Sequence, residues 1–310
     1  MRIGAHISTR GDYAKMFRYA EEVGCETFAI FAKSPRIWSA KPLDPVKGEE
    51  LRAQLALSPI EVFYTHTAYL INISSAEDDM RLKSSAALAD ELVRAALLGA
   101  SGVNTHMGND ALHDDGAAAQ RAADSIVYAR ETAARTLREM GEREAFSGLA
   151  SLSQVPPVPR LLLEDTAGAG STFGATVEQL AATVAAAALP EDELGICLDT
   201  CHAWAQGYDV SCAEGWTELL DEVDDALAHG GTSGIARLGL LHANDSKFAR
   251  GAHKDRHEQI GKGAIGEAGF SAMVCEPRLS GVDVILEVPG EEPDKDIDNI
   301  ALLKRLRESA

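Results

Sequence analysis

Eight short, almost continuously apolar runs recur along the 310-residue chain, set between segments with helical periodicity. Runs of that length and character fit parallel strands buried on both faces; half-exposed strands would alternate polar with apolar. Strand–helix alternation repeated to this count leaves few architectures. It predicts an α/β fold of the TIM-barrel type, (β/α)8, as a single domain over residues 1–310, with functional groups at the C-terminal ends of the strands. An open doubly wound sheet is the competing arrangement, but no glycine fingerprint follows the first run.

In chain order, residues 2–7 read as the first strand, ending near His6, and residues 12–23 as a helix that Gly24 stops. Residues 27–31 are the second strand. Asp44 with Pro45 behind it is a helix cap and first-turn proline. Residues 61–65 make the third strand; a long helix over 76–98 follows, closed by Gly99. Residues 102–105 are the fourth strand and 117–140 an Ala-rich helix. Residues 146–159 carry Ser, Gly and three prolines with little periodicity, and are expected to form a surface insertion. Strands five to eight follow at 160–163, from Gly195, at 238–241 and at 282–286, with helices at 177–188, 212–228 and 294–307.

The residues at the ends of strands three to eight are His66, His106, Glu164, Asp199, His242 and Glu287. A lone histidine at a strand end is usually structural, held by hydrogen bonds. Six metal-ligand types at six successive tips of one rim are not explained by packing, and three carboxylates brought together there would repel without cations. Asp199 is followed three residues later by His202, and Asp255 and His257 lie in the long loop after strand seven, spaced to face one way from an extended segment. The full set is five histidines and four carboxylates with no thiolate, which favours Zn²⁺ and also suits Mn²⁺ or Fe²⁺. Nine ligands exceed what two ions use, and three ions is the simplest partition.

The five cysteines are odd in number and follow no disulfide framework, so a reduced, cytoplasmic protein is expected. No apolar run has membrane-spanning length, no signal peptide is read at the start, and no membrane partner is expected. The formal net charge of −19 argues, taken alone, against a nucleic-acid partner.

Several longer motifs bear on that conflict. They are Ile3-Gly4-Ala5-His6-Ile7-Ser8, His66-Thr67-Ala68-Tyr69-Leu70-Ile71-Asn72, Leu163-Glu164-Asp165-Thr166-Ala167-Gly168, Asp199-Thr200-Cys201-His202-Ala203 through Gly207-Tyr208-Asp209, His242-Ala243-Asn244-Asp245-Ser246-Lys247 and Lys254-Asp255-Arg256-His257-Glu258. With these the chain resembles, over nearly its whole length, the endonuclease IV family of zinc-dependent apurinic/apyrimidinic endonucleases. The resemblance implies three Zn²⁺ ions. His66, His106 and Glu164 would hold the first; Glu164 as a bridge, Asp199, His242 and Glu287 the second; His202, Asp255 and His257 the third. It implies cleavage of double-stranded DNA on the 5′ side of an abasic site, leaving a 3′-hydroxyl, and trimming of blocked 3′ ends. Glu164 and Glu287 would be the catalytic carboxylates, holding the metals of the attacking hydroxide. Arg36, Tyr69 and Leu70 match positions that the family inserts into the base stack.

A net cationic metal cluster would draw the DNA backbone whatever the far surface carries. The loop after strand seven adds Lys247, Arg250, Lys254 and Arg256, and Lys33 and Arg36 follow strand two on the same rim; all are expected phosphate contacts. The excess acid would lie on outer helices. Departures from the family pattern fall at Met107 to Asp110, at Asp165 in place of an Asn, and in the 146–159 insertion. They bear on substrate preference and leave the ligand set intact. A two-metal sugar isomerase or epimerase on the same barrel is the rival reading, and so is a relative that binds damaged DNA without cutting. The isomerase needs no third site, so His202, Asp255 and His257 discriminate. A monomer is expected.

Overall fold

The structure, a computed structural model, describes residues 1–9, 12–142 and 155–309. Most of the expected 146–159 insertion therefore lies outside the described residues. The strands are β1 (Ile3–His6), β2 (Thr27–Phe31), β3 (Phe63–His66), β4 (Gly102–Thr105), β5 (Arg160–Glu164), β6 (Leu194–Asp199), β7 (Leu238–Ala243), a two-residue pair β8 (Asp245–Ser246) and β9 (His257–Glu258), and β10 (Asp283–Leu286). The helices are α1 (Tyr13–Glu22), α2 (Pro45–Leu57), α3 (Asp78–Leu98), α4 (Asp115–Glu142), α5 (Val177–Ala187), α6 (Thr200–Gln206), α7 (Ala213–Leu227), α8 (Gly266–Cys275) and α9 (Asp294–Glu308). Eight strands close a barrel in the order β1-β10-β7-β6-β5-β4-β3-β2, and every neighbouring pair is parallel. The TIM barrel expected from the sequence is the fold.

Local chemistry sets the element ends. Asp12 caps α1 by accepting from the Lys15 N–H at 2.7 Å, and Asp44 caps α2 from Val46 at 3.0 Å. Gly99 ends α3 with φ of +85°, a conformation that costs glycine least. Gly4 is needed for a different reason: a Cβ there would meet the Thr27 carbonyl at 1.6 Å.

The period of two along each strand decides what faces inward. Ala29, Tyr64, Leu162, Cys197, Leu240 and Ile285 form one buried layer inside the barrel. Their strand neighbours Phe28, Phe63, Leu161, Leu163, Ile196, Leu241 and Val284 point outward into the main core beneath the helices. Below the inner layer, Tyr64 donates to Asp283 at 2.7 Å, and Arg2 binds the same carboxylate at 2.8 and 2.9 Å. Two residues above that layer on β3, β5, β6, β7 and β10 stand His66, Glu164, Asp199, His242 and Glu287. The alternation that packs the barrel thus aims these side chains into its mouth.

Candidate metal centre

Among the described residues, four groups of metal-capable side chains have their ligand atoms within 4.8 Å of one another. Three of them are His66, His106 and Glu164; Glu164, Asp199, His242 and Glu287; and His202, Asp255 and His257. The fourth joins Asp199 and His257 to Cys201, so the groups are contiguous and Glu164 belongs to two of them. All nine residues read as ligands from the sequence meet in one volume.

Glu164 is the hub. Its Oε2 lies 3.2 Å from His66 Nε2 and 3.3 Å from His106 Nε2, and its Oε1 lies 2.9 Å from His242 Nδ1 and 3.7 Å from His202 Nδ1. The outer group is tied by Asp255, 3.5 Å from His202 Nε2 and 3.2 Å from His257 Nε2. His257 Nε2 stands 3.6 Å from Asp199. Asp199 is also the cap of α6, accepting from the N–H groups of Cys201 at 2.6 Å and His202 at 3.1 Å. The cap is why His202 comes within reach: the helix starts at the strand tip, and its first turn carries His202 inward.

Hydrogen bonds behind the ring nitrogens fix their orientation, as supporting partners do in metal sites. His66 Nδ1 donates to the Thr67 carbonyl at 2.8 Å and His257 Nδ1 to the Glu287 carbonyl at 3.1 Å, so in both rings Nε2 is left to face the carboxylates. Asn244 donates to Asp199 Oδ2 at 2.6 Å and accepts from the Glu287 N–H at 2.9 Å. Asn104 donates to Glu164. Sequence reasoning missed these two amides, and it passed over His6. His6 ends β1 just as the ligands end their strands, and its Nδ1 meets Glu287 Oε1 at 3.0 Å. Its place at a strand tip was the available signal. Cys201 is buried, and burial pushes its thiol up to about 12, so it is no ready thiolate.

The electrostatics identify what the donor set accommodates. Burial alone would raise Glu164, but His106, His242 and His66 hold it well below the usual carboxylate range. Burial would likewise raise Asp255 and Glu287, and the neighbouring histidines depress both. Burial works against charge on His257, yet Asp199 and Asp255 lift it to about 9. His66 and His202 are raised in the same way against burial by surrounding carboxylates, and His242 by Cys197 ahead of Glu164 and Glu287, while burial lowers His106. Protons on imidazoles thus balance the carboxylates. His106 Nδ1, His202 Nδ1, His242 Nε2 and His257 Nε2 are buried atoms with no hydrogen-bond partner. Of these, His202 Nδ1 and His257 Nε2 stand beside carboxylates, and unpaired buried nitrogens so placed fit divalent cations, which would replace those protons.

The rim departs in part from expectation. Tyr69 is 65% exposed, its ring 6.0 Å from that of His66, and Arg36 and the half-buried Leu70 lie on the same rim. The loop after β7 is fastened at its base by the β8–β9 pair, Ser246 opposite His257, and exposes Lys247, Arg250, Lys254 and Arg256. Lys254 rests 4.3 Å over the Phe248 ring, and Arg250 is ion-paired with Asp209. Lys33 is not a rim cation: its side chain is buried and paired with Asp90 at 2.9 Å, because a lysine directly after a barrel strand falls under the loop. A cleft of about 1340 Å³ opens beside the mouth, running from His6 past Phe31 and Arg36 to Lys15 and Lys295.

A family model described as a xylose isomerase-like TIM barrel matches residues 17–306. A probable endonuclease 4 from Methanoculleus marisnigri is 37% identical over 304 residues, covering 98% of each chain. The crystal structure of endonuclease IV from Thermus thermophilus superposes with a TM-score of 0.79 at 34% identity, covering 100% of both chains. The chain belongs to the endonuclease IV family. An apo 3-keto-D-glucoside 4-epimerase from E. coli shares the barrel at a TM-score of 0.64, but at 17% identity over 98% of this chain and 99% of its own, and that likeness concerns the fold.

Proposed function

We propose that this endonuclease IV family member hydrolyses double-stranded DNA 5′ to abasic sites, leaves a 3′-hydroxyl, and removes blocked 3′ ends. The observation that carries the reading is the contiguity of three donor groups through Glu164 and Asp199 at a mouth rimmed by exposed cations and Tyr69. The ligand chemistry favours Zn²⁺, three ions per chain, in the partition His66, His106, Glu164; Glu164, Asp199, His242, Glu287; and His202, Asp255, His257. When bound, such ions supply Lewis acidity toward a phosphodiester and a water acidic enough to attack near neutral pH.

The residues supply the rest. Glu164 and Glu287 hold fixed, ionised carboxylates at the centre of the mouth, Glu287 steadied by His6 and by the Asn244 amide. Asn244 and the α6 N–H groups keep Asp199 from rotating away. Lys247, Lys254 and Arg256 face solvent beside the ligands, placed to meet backbone phosphates, with Arg250 joining on release from Asp209. Arg36, Tyr69 and Leu70 rise on the opposite side of the mouth, where an apolar ring entering the stack would fill the gap left by a missing base. The chain acts as a monomer, since one chain carries the whole donor set.

A nicking assay on a duplex with one abasic site tests this. The chain should cut one strand 5′ to the lesion, lose that activity in chelator, and recover it with zinc. Metal analysis should return three ions per chain. Intact duplex after incubation with the zinc-loaded chain would sink the reading.

A further inference from the structure

The two rim loops carrying Arg36 and Tyr69 are fastened from beneath to one turn of α3. Lys33 follows β2 with its side chain only 2% exposed, a depth at which the ammonium needs partners. Its Nζ donates to Asp90 at 2.9 Å and to the Trp38 carbonyl at 3.3 Å, and lies 3.5 Å from Glu91. The bond to Trp38 closes the loop around Arg36. Asp90 also accepts from Arg94 Nε at 2.9 Å, and Arg94 Nη2 reaches the carbonyls of Ala40 at 3.4 Å and Lys41 at 2.5 Å, where that loop ends. Glu91 serves the other loop: it accepts from the Ala68 N–H at 3.3 Å, one residue before Tyr69. The loops are then joined directly, the Tyr69 N–H donating to the Pro35 carbonyl at 3.2 Å.

None of the four charged residues belongs to a metal-capable group. As a source of stability a buried ionic network is a poor choice, because apolar packing commonly does as well. What it provides is direction: each bond fixes one backbone point of one loop. We propose that Lys33, Asp90, Glu91 and Arg94 are positioning residues for lesion recognition, setting the spacing of the Arg36 and Tyr69 loops over the metal mouth before DNA arrives. The inference rests on the DNA reading above.

Steady-state nicking of an abasic-site duplex by the zinc-loaded chain, compared with Lys33→Met and Asp90→Ala, tests it. Both variants should raise KM about tenfold while kcat changes by less than about twofold. Zinc content should stay at the level of the unmodified chain. A role confined to folding would instead lower kcat and zinc content without a selective rise in KM, and that result overturns the inference. Asp90 is 35% exposed, so Asp90→Ala decides the matter if Lys33→Met does not fold. If the unmodified chain fails to nick, the DNA reading falls and takes this inference with it. If it nicks and the variants keep its KM, the inference alone falls.

Discussion

His257 shows how far one side chain depends on its surroundings. Burial disfavours its charge, yet Asp199 and Asp255 lift it to about 9, above its ordinary 6.5. In the ion-free chain this pairing stabilises the fold fully below about 6.5, and the contribution is lost as pH rises through about 9. An incoming divalent ion must displace the proton, so zinc uptake should release protons, and apparent zinc affinity should climb as pH rises toward about 9. Calorimetry in buffers of different ionisation heat measures both. Affinity that does not vary with pH below that point would contradict the assignment of His257 as a ligand. The sequence made this residue legible through its spacing from Asp255. It could not reveal Asn104 or Asn244, because an amide that steadies a carboxylate across the barrel has no local pattern.

Among elements, the strand tips were the most readable part of the chain, since burial on both faces leaves an apolar run with a sharp end. Helix ends shifted by a residue or two, with α3 starting at Asp78 and α4 running from Asp115 to Glu142. The β8–β9 pair went unseen because two residues per strand are too few to show alternation. Docking of α9 was also invisible. Its Arg307 grips Glu26 at 2.7 and 2.9 Å, and Lys304 donates to the Gly24 carbonyl at 2.7 Å, joining the last helix to the start of β2. Burial would raise Glu26, but Arg307, the Ile3 N–H and Lys304 lower it to about 2. Its contribution is therefore whole above about 4.5 and lost as pH falls through about 2. Arg307→Ala should cost about 1 kcal/mol at neutral pH, the pair being partly exposed, and should move the acid limb of the stability curve upward. Urea melts across an acid pH series measure this, and an unmoved acid limb would place the fastening elsewhere.

For the molecule as a whole, the question is how a chain of net charge −19 meets a polyanion. Three divalent ions would bring six positive charges against the four carboxylates of the donor groups, so the mouth would be cationic when loaded. The acid is carried elsewhere, on residues such as Glu214 of α7 and Glu142 of α4. Attraction is then local and repulsion general. Binding of an abasic duplex should weaken as salt rises from about 50 to about 200 mM, because each phosphate held at the mouth releases condensed counterions on binding. Fluorescence anisotropy across the titration checks this, and a flat response would mean that charge does not govern association. The fold and the convergence of the strand-tip donor side chains could be read in the sequence because each strand repeats one rule. The geometry of the Arg36 and Tyr69 loops could not, since it rests on individual hydrogen bonds between distant residues such as Lys33 and Asp90.

The Tyr64–Asp283–Arg2 cluster closes the barrel floor, and the apolar layer of Leu162, Cys197, Leu240 and Ile285 lies directly on it. Traffic to the ligands is thereby one-ended. Under the proposed function, ions, water and the damaged strand would all come in from the mouth side of the described residues, and a duplex standing there would lock in whatever metal the chain already carried.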